Sequence, residues 1–369
     1  MRLAPRSLAL AAALAVAVLG GGAVPAGATP AVDPGTARLD VDLKAAAVSR
    51  VAGPDRVATA VAAAGSFTGQ AADAVVLTRS DTFADALAGA PLASDRGGPL
   101  LLTSRTSLQP EVADAIRDVL APGGTVYLLG DTNALSAGVE SSVRALGFTT
   151  QRVQGADRFG TAVAVAELLP QARTVSLVNG WNYPDGLAAG ALMGVVDDET
   201  RRSVGVVLLS DGNRVGDTTA RYLERRSFAT KIAVGGPASV AVGPQTGSTD
   251  WGFLAGADRY ATAALVARQF SSTGFFEDAT TIVGIATGEN WPDALAGSAL
   301  LAYGGGPVLL TRPDQLPPVT AETLGALQAD ARAQRGEDGQ PLEITDALVF
   351  GSASSVQDVV VEQVRTALG

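Results

Sequence analysis

The sequence predicts an α/β protein made of three tandem doubly wound parallel-sheet modules. Two observations carry that prediction. The stretch RVAGPDRVATA, Arg50 to Ala60, returns as RVQGADRFGTA and again as FLAGADRYATA, each time followed by short apolar runs in the same order. Those runs are rich in β-branched and aliphatic residues and alternate with helical patterns, which points to βαβ units and a parallel sheet covered on both faces. A period of about one hundred residues gives each copy enough chain for its own core, so the copies are domains rather than solenoid repeats.

The 369-residue chain opens like an export signal. Arg2 and Arg6 precede an apolar run from Leu8 to Leu19, and Ala26-Gly27-Ala28 forms a small-x-small cleavage site. Residues 1–28 are expected to be a signal peptide, and no later stretch is long and apolar enough for a membrane span after cleavage. Residues 29–48, with Pro30, Pro34 and several alanines, read as a linker. The three modules are expected at 49–149, 150–251 and 252–369.

Within each copy the elements follow in register. A Gly-x-Asp-Arg turn comes first. Gly53, Gly155 and Gly256 are expected to take positive φ there, and Asp55, Asp157 and Asp258 to cap the helices that follow. A first strand is read at Ala74–Arg79, Thr174–Asn179 and Thr281–Thr287. Each leads into a small-residue segment where Asp85, Asp185 and Asp293 align, preceded by the aromatics Phe83, Tyr183 and Trp291. A second strand is read at Gly98–Thr103, Gly205–Ser210 and Gly306–Thr311, and a third ends in glycine at Gly130, at Gly235 and Gly236, and at Gly351. PEVADAIRDVLA places Val112, Ile116 and Val119 on one helical face, and TTARYLERR is its shorter counterpart. The glycines and threonines closing the strands stand where an open α/β sheet presents its functional loops. The copies also differ. Arg50 and Arg152 stand three residues before their glycines where the third copy has Phe253, and an insertion at Asp330–Pro341 is expected to be a surface loop.

Composition narrows the chemistry. Cysteine and histidine are both absent, so stability must come from buried cores, which 47% hydrophobic residues can supply. Histidine-ligated zinc hydrolysis and Ser-His-Asp or Cys-His nucleophilic systems are excluded, whereas two-carboxylate chemistry and oxygen-only metal sites pass the filter. A net charge of −10 weighs against a nucleic-acid partner. Neither Gly-x-Gly-x-x-Gly nor the Walker pattern appears at the turns, and no cofactor is expected.

Two sets of repeated polar residues are candidates. Arg56, Arg158 and Arg259 either belong to capped turns and saturate carboxylates within the protein, or serve as planar forks for carboxylate or phosphate ligands or at contacts between modules. Asp85, Asp185 and Asp293 either support a helix start, two of them beside Pro184 and Pro292, or accept hydroxyl hydrogen bonds at a sugar site with the preceding aromatics as platforms. A glycosidase needs two carboxylates at a defined separation. Three equal aspartates in three units fit three equal binding sites better. Thr103, Ser210 and Thr311, ending the second strands, offer hydroxyls at the ligand-facing edge.

Taken together, GxDRxxTA, the aromatic-[Pro/Ala]-Asp-[Ala/Gly]-Leu segment, PLLLT and the LLG strand end resemble the cell wall binding repeat type 2 family of Gram-positive surface proteins. The resemblance runs from about Arg50 to Val356 in three copies. It implies modules packed around a pseudo-threefold axis and noncovalent attachment to an anionic cell-wall polymer, teichoic-acid-like or another secondary polysaccharide. Carried onto this chain, the implied polymer contacts are Arg56, Arg158, Arg259, Asp85, Asp185, Asp293, Asn182 and Asn290. The first copy departs from the asparagine-aromatic-proline pattern at Thr82 and Ala84. The resemblance implies that family members normally add a functional domain such as a peptidase or amidase, and these 369 residues are expected to hold none beside the three modules. The expected function is a secreted, wall-associated, noncatalytic binding protein that gains avidity from three weak sites. The alternative is a carboxylate-based cell wall hydrolase or a modifier of autolysins. A charge of −10 repels an anionic polymer at long range, so binding calls for local arginine clusters or a bridging divalent cation, for which the sequence shows no motif.

Overall fold

A computed structural model describes residues 46–67, 72–197, 202–243, 250–271, 280–336 and 339–369. The expected signal peptide and residues 29–45 of the expected linker lie outside the described residues. Among the described residues, no helix is long and apolar enough to cross a membrane.

The β-branched and leucine-rich runs form three four-stranded parallel sheets. The first contains β2 (Ala72–Arg79), β3 (Leu100–Thr103), β4 (Leu120–Leu129) and β5 (Thr149–Val153), in the order β3-β2-β4-β5. The second contains β6 (Thr174–Asn179), β7 (Gly205–Ser210), β8 (Thr230–Val234) and β9 (Gly252–Leu254), in the order β7-β6-β8-β9. The third contains β10 (Ile282–Thr287), β11 (Val308–Thr311), β12 (Asp346–Phe350) and β1 (Ala47–Val51), in the order β1-β12-β10-β11. Consecutive residues such as Val75, Val76 and Leu77 are all fully buried. That is why these strands read as continuous apolar runs rather than alternating ones. In every sheet the chain reverses direction after its second strand. The ends of β2 and β4, β6 and β8, and β10 and β12 therefore each frame a topological switch point, the usual ligand crevice of an open α/β sheet.

The strand ahead of each Gly-x-Asp-Arg turn completes the sheet of the preceding module. β5 pairs with β4 and β9 with β8. At the chain's start β1 pairs with β12, from Ala47 opposite Asp346 to Val51 opposite Phe350. The first strand thus closes the last sheet, and Ala47 and Val48 of the expected linker are its first two residues.

Helices α1 (Arg56–Ala64), α5 (Arg158–Glu167) and α9 (Arg259–Ala267) spring from the turns. Asp55 accepts from the Val57 and Ala58 amides at 2.9 Å, Asp157 from Gly160 at 2.8 Å and Asp258 from Ala261 at 2.8 Å, the expected caps. The expected positive φ at Gly53, Gly155 and Gly256 is not found. Glycine is needed there for a different reason. A Cβ would lie 2.5 Å from the Ala58 carbonyl carbon, the Thr161 nitrogen and the Ala261 carbonyl carbon respectively, because the turn folds back onto its own helix.

α2 (Gly89–Asp95), α6 (Pro184–Met193) and α10 (Pro292–Gly304) pack pairwise on one another around a pseudo-threefold axis. Being apolar or small on all sides, they suit burial on all sides, and their hydroxyls are satisfied across the axis. Ser298 Oγ donates to the Leu187 carbonyl at 2.8 Å and Ser94 Oγ to that of Gly194 at 2.7 Å. On α3 (Pro110–Val119), Val112, Ile116 and Val119 are buried as their spacing predicts. α4 (Ala137–Ala145), α7 (Asp217–Arg225), α8 (Gly236–Val242), α11 (Pro318–Ala333) and α12 (Asp358–Leu368) complete the layers. The insertion is not a loop from its start. Asp330 to Ala333 form the last turn of α11, with Ala331 fully buried, and Arg335 bridges Pro341 beyond it.

Candidate functional site

The three repeated arginines stand at the seams between modules. Each donates Nη1 to the carbonyl just past the first strand of its own module. Arg56 reaches Ser80 at 2.9 Å, Arg158 reaches Gly180 at 2.8 Å, and Arg259 reaches Gly288. Each guanidinium also lies over the repeated aromatic of the preceding module: Arg56 5.6 Å from the Trp291 ring centre, Arg158 6.0 Å from Phe83 and Arg259 5.9 Å from Tyr183. They do not saturate carboxylates; each anchors to a carbonyl of its own module and meets the preceding module through a ring. The aromatics meet at the axis, Phe83 lying 5.6 Å from Tyr183 and 6.4 Å from Trp291 between centres. Trp291 is buried and the other two half-buried, so the trio forms a hub.

The aspartates occupy the switch points. Gly130, Gly235 and Gly351, ending β4, β8 and β12, have φ of 92°, 87° and 102°. A Cβ there would press on Asp85 Oδ2 at 2.8 Å, overlap the Asp185 carboxylate, or press on Asp293 Oδ2 at 2.6 Å. Across the seam, the Thr161 hydroxyl hydrogen-bonds Asp85, and the Thr59 hydroxyl bonds Asp293 together with Ser355. Thr59, Thr161 and Thr262 also accept from the turn amides of Gly53, Gly155 and Gly256 at 3.1, 3.2 and 3.1 Å. The recurrence of these threonines in GxDRxxTA is the sequence signal for their place at the site. Burial raises the pKa of all three aspartates. The Thr161 bond opposes it at Asp85 and those of Ser355 and Thr59 at Asp293, while Asp185, opposed by the charge of Arg259, is pushed up to about 6.

The seams are not equivalent. Arg50 clasps the Gly351 carbonyl at 2.7 Å and Asp358 at 2.8 Å, while Arg152 clasps the Gly130 carbonyl at 3.0 Å and Glu140 at 2.8 Å. The third copy has Phe253 at that place, 44% exposed, and among the described residues no fork reaches Gly235. At this seam a cleft of about 290 Å³ opens. Asn182 and Asp185 from the second module and Asp258, Arg259 and Thr262 from the third line it. Asn182 is exposed and its Oδ1 accepts from the Tyr183 amide at 3.0 Å, so its amide nitrogen remains the group's donor. Asn290 has the same turn, accepting from the Trp291 amide at 3.0 Å, but does not line this cleft. The cleft therefore offers a cationic fork, an amide donor and a carboxyl that changes charge near pH 6. Its size is near the lower end for small-ligand sites.

The hydroxyls at the second-strand ends do not face a ligand. Thr103, Ser210 and Thr311 are fully buried and donate to the carbonyls of Ser107 (3.1 Å), Gly212 (2.9 Å) and Gln315 (3.1 Å), so they pin the loops that follow. Among the described residues, no group of three or more acidic side chains is placed to hold a metal ion.

Residues 50–140, 152–242 and 254–361 each match the family model of Cell wall binding domain 2 (CWB2). The N-acetylmuramoyl-L-alanine amidase LytC of Bacillus subtilis is 25% identical over 279 residues, covering 76% of this chain and 53% of LytC. The amidase enhancer of the same organism is 32% identical over 121 residues, 32% of this chain and 16% of that protein. Among solved structures, Cwp6 from Clostridium difficile superposes with a TM-score of 0.72 at 19% identity, covering 88% of this chain and 48% of Cwp6. Cwp8 from the same organism gives 0.69 at 23%, covering 87% and 51%. The chain thus spans about half the length of LytC and of both structures.

Proposed function

The chain belongs to the Cell wall binding domain 2 (CWB2) family, and from that premise we propose that it is a secreted, noncatalytic protein holding noncovalently to an anionic secondary polymer of the wall. The observation that carries the proposal is the cleft between the second and third modules, where Asn182 and Asp185 meet Arg259. The guanidinium spends one nitrogen on the Gly288 carbonyl and retains donors for a phosphate or carboxylate. Asp185 and Asn182 suit sugar hydroxyls. Arg56, Arg158, Asp85, Asp293 and Asn290 repeat parts of this set at the other seams and are proposed as weaker contacts. With a net charge of −10, affinity must come from such short-range forks, not long-range attraction.

A carboxylate hydrolase is the second reading, because Asp258 lines the cleft with the raised Asp185. Against it, Asp258 commits an oxygen to the Ala261 amide as a helix cap, as Asp55 and Asp157 do for their own helices. Its position is therefore explained without catalysis.

The test is sedimentation of purified protein with walls, intact or stripped of secondary polymers, alongside a variant with Arg56, Arg158 and Arg259 changed to alanine and checked for folding. Binding is expected to need both polymer and arginines, to be released by high salt, and to leave wall turbidity unchanged. Equal binding to stripped walls would overturn the polymer assignment, and clearing of the suspension would favour the hydrolase.

A further inference from the structure

Trp181 is 55% exposed, the most exposed large apolar side chain among the described residues. Leaving that much indole in water forgoes burial free energy, yet the ring is firmly held. The Arg158 guanidinium lies 4.5 Å from its centre and the Phe159 ring meets it edge-on at 5.7 Å. Its Nε1 donates to Asp211 Oδ1 at 2.8 Å, and its backbone amide donates to Asn179 Oδ1 at 3.1 Å. Asp211 is itself fixed, accepting from Arg214 at 2.7 Å, and these two bonds hold its carboxyl below the usual range.

Nothing in the module architecture requires this arrangement. Ser80, Gly180 and Gly288 are equivalent, since each accepts the repeated arginine of its module. The next residue is Asp81 in the first module, Trp181 in the second and Glu289 in the third. Asp81 pairs with Arg79 at 2.6 Å, so the first module fills the position with a surface ion pair. Only the second presents a ring.

We propose that Trp181 is a stacking platform for a pyranose ring of a wall glycan, a deepening that rests on the wall-binding reading above. A pyranose has an apolar C–H face and a rim of hydroxyls, and the surroundings of Trp181 match both. The indole supplies a flat apolar surface already locked in orientation, which lowers the ordering cost of binding. Around it stand acceptors and donors for hydroxyls. Asp211 keeps lone pairs beyond its two bonds, and Asn182 keeps its amide hydrogens. Arg214, with its side chain 79% exposed, is placed for an acidic substituent. A stacked nucleobase is the poorer fit, because the chain is acidic overall and lacks a basic stripe. The ligand is a chain, not a free sugar. Trp181 is the immediate neighbour of Asn182, which lines the cleft at the next seam, so successive units of one polymer can occupy platform and cleft together.

The full chain contains three tryptophans, of which Trp291 is buried and Trp251 half-buried, so iodide-quenchable emission reports mainly on Trp181. Soluble glycan released from walls, either secondary polysaccharide or peptidoglycan strands, is titrated against the wild-type protein while iodide quenching is followed. Wall binding of Trp181→Ala and Trp181→Phe is measured alongside, with thermal melting as the folding check. The expected result is protection of Trp181 from iodide by one of the two glycans, which identifies the source, and a loss of about thirtyfold in affinity for W181A, the threshold size of an aromatic hot spot. W181F is expected to lose less. Equal wall binding by wild type and W181A, with quenching unchanged by either glycan, overturns the platform and leaves the wall-binding reading intact. Absence of wall binding by the wild type overturns both. If W181A does not fold, the wild-type quenching titration decides alone.

Discussion

Arg259 and Tyr183 sit on opposite sides of a module boundary, the guanidinium 5.9 Å from the ring centre, while Arg259 also donates to the Gly288 carbonyl of its own module. The same bridge recurs at all three seams, so each arginine has a structural role whatever it binds. Arg259→Ala removes a charged hydrogen bond and a cation–π contact, and should cost about 1–3 kcal/mol in denaturant unfolding. Arg259→Lys keeps the charge but not the planar fork, and should recover only part of that. An alanine variant as stable as wild type would mean that the bridge contributes nothing to folding.

The aspartates predict an unusual pH profile. Burial raises Asp185 from 3.8 to about 6, so between those values the folded chain holds a proton that the unfolded chain has released. Its stabilising effect is complete below the unfolded value and is lost as pH rises through about 6. Asp85 and Asp293 shift in the same direction. Asp81 and Glu140, held down by Arg79 and Arg152, lose their contribution only on acidification below the ordinary carboxylate range. Stability should therefore rise from pH 7 to about pH 5, with Asp185 contributing on the order of 1 kcal/mol over that window. Asp185→Asn should flatten the rise. A melting temperature that falls steadily from pH 7 to 5 would refute this account.

Adjacent glycines provide a sharper test of the switch-point geometry. Gly235 has φ of 87°, and a Cβ on it would overlap the Asp185 carboxylate, whereas a Cβ on Gly236 meets nothing within 4 Å. Gly235→Ala should cost more than about 2 kcal/mol and close the cleft to ligand, while Gly236→Ala should be neutral to within roughly 1 kcal/mol. Equal melting temperatures for the two variants would show that the carboxylate moves aside at no cost.

Much of this architecture could be read from the chain. The strands were legible because both faces of each sheet are covered, which turns every strand into an unbroken apolar run, and threefold repetition fixed their order. The caps Asp55, Asp157 and Asp258 were legible because capping is local. What could not be read depends on how the folded backbone closes on itself. Gly53 looked like a positive-φ turn, yet its lack of a side chain is set by the backbone of Ala58 folding back on it. The positive φ lies instead at Gly130, Gly235 and Gly351, where strand ends meet an aspartate. Trp181 carries no repeat signal, because the equivalent positions hold Asp81 and Glu289.

Closure of the third sheet by β1 makes the start of the folded unit decisive. Val51 lies opposite Phe350, and Arg50 clasps the Gly351 carbonyl and Asp358. Removing residues 1–45 leaves this strand whole. Removing residues 1–52 turns β12 into an open edge and strips its fork, exposing unpaired backbone that invites association. Amide exchange over Asp346–Phe350 should then quicken by about tenfold or more, while Thr174–Asn179 in the second sheet exchanges as before. The shorter protein should also self-associate at concentrations where the longer one does not. Unchanged exchange over β12 would mean that β1 lies against the sheet without stabilising it, and that the ring of modules holds together through the axis helices and the seam arginines alone.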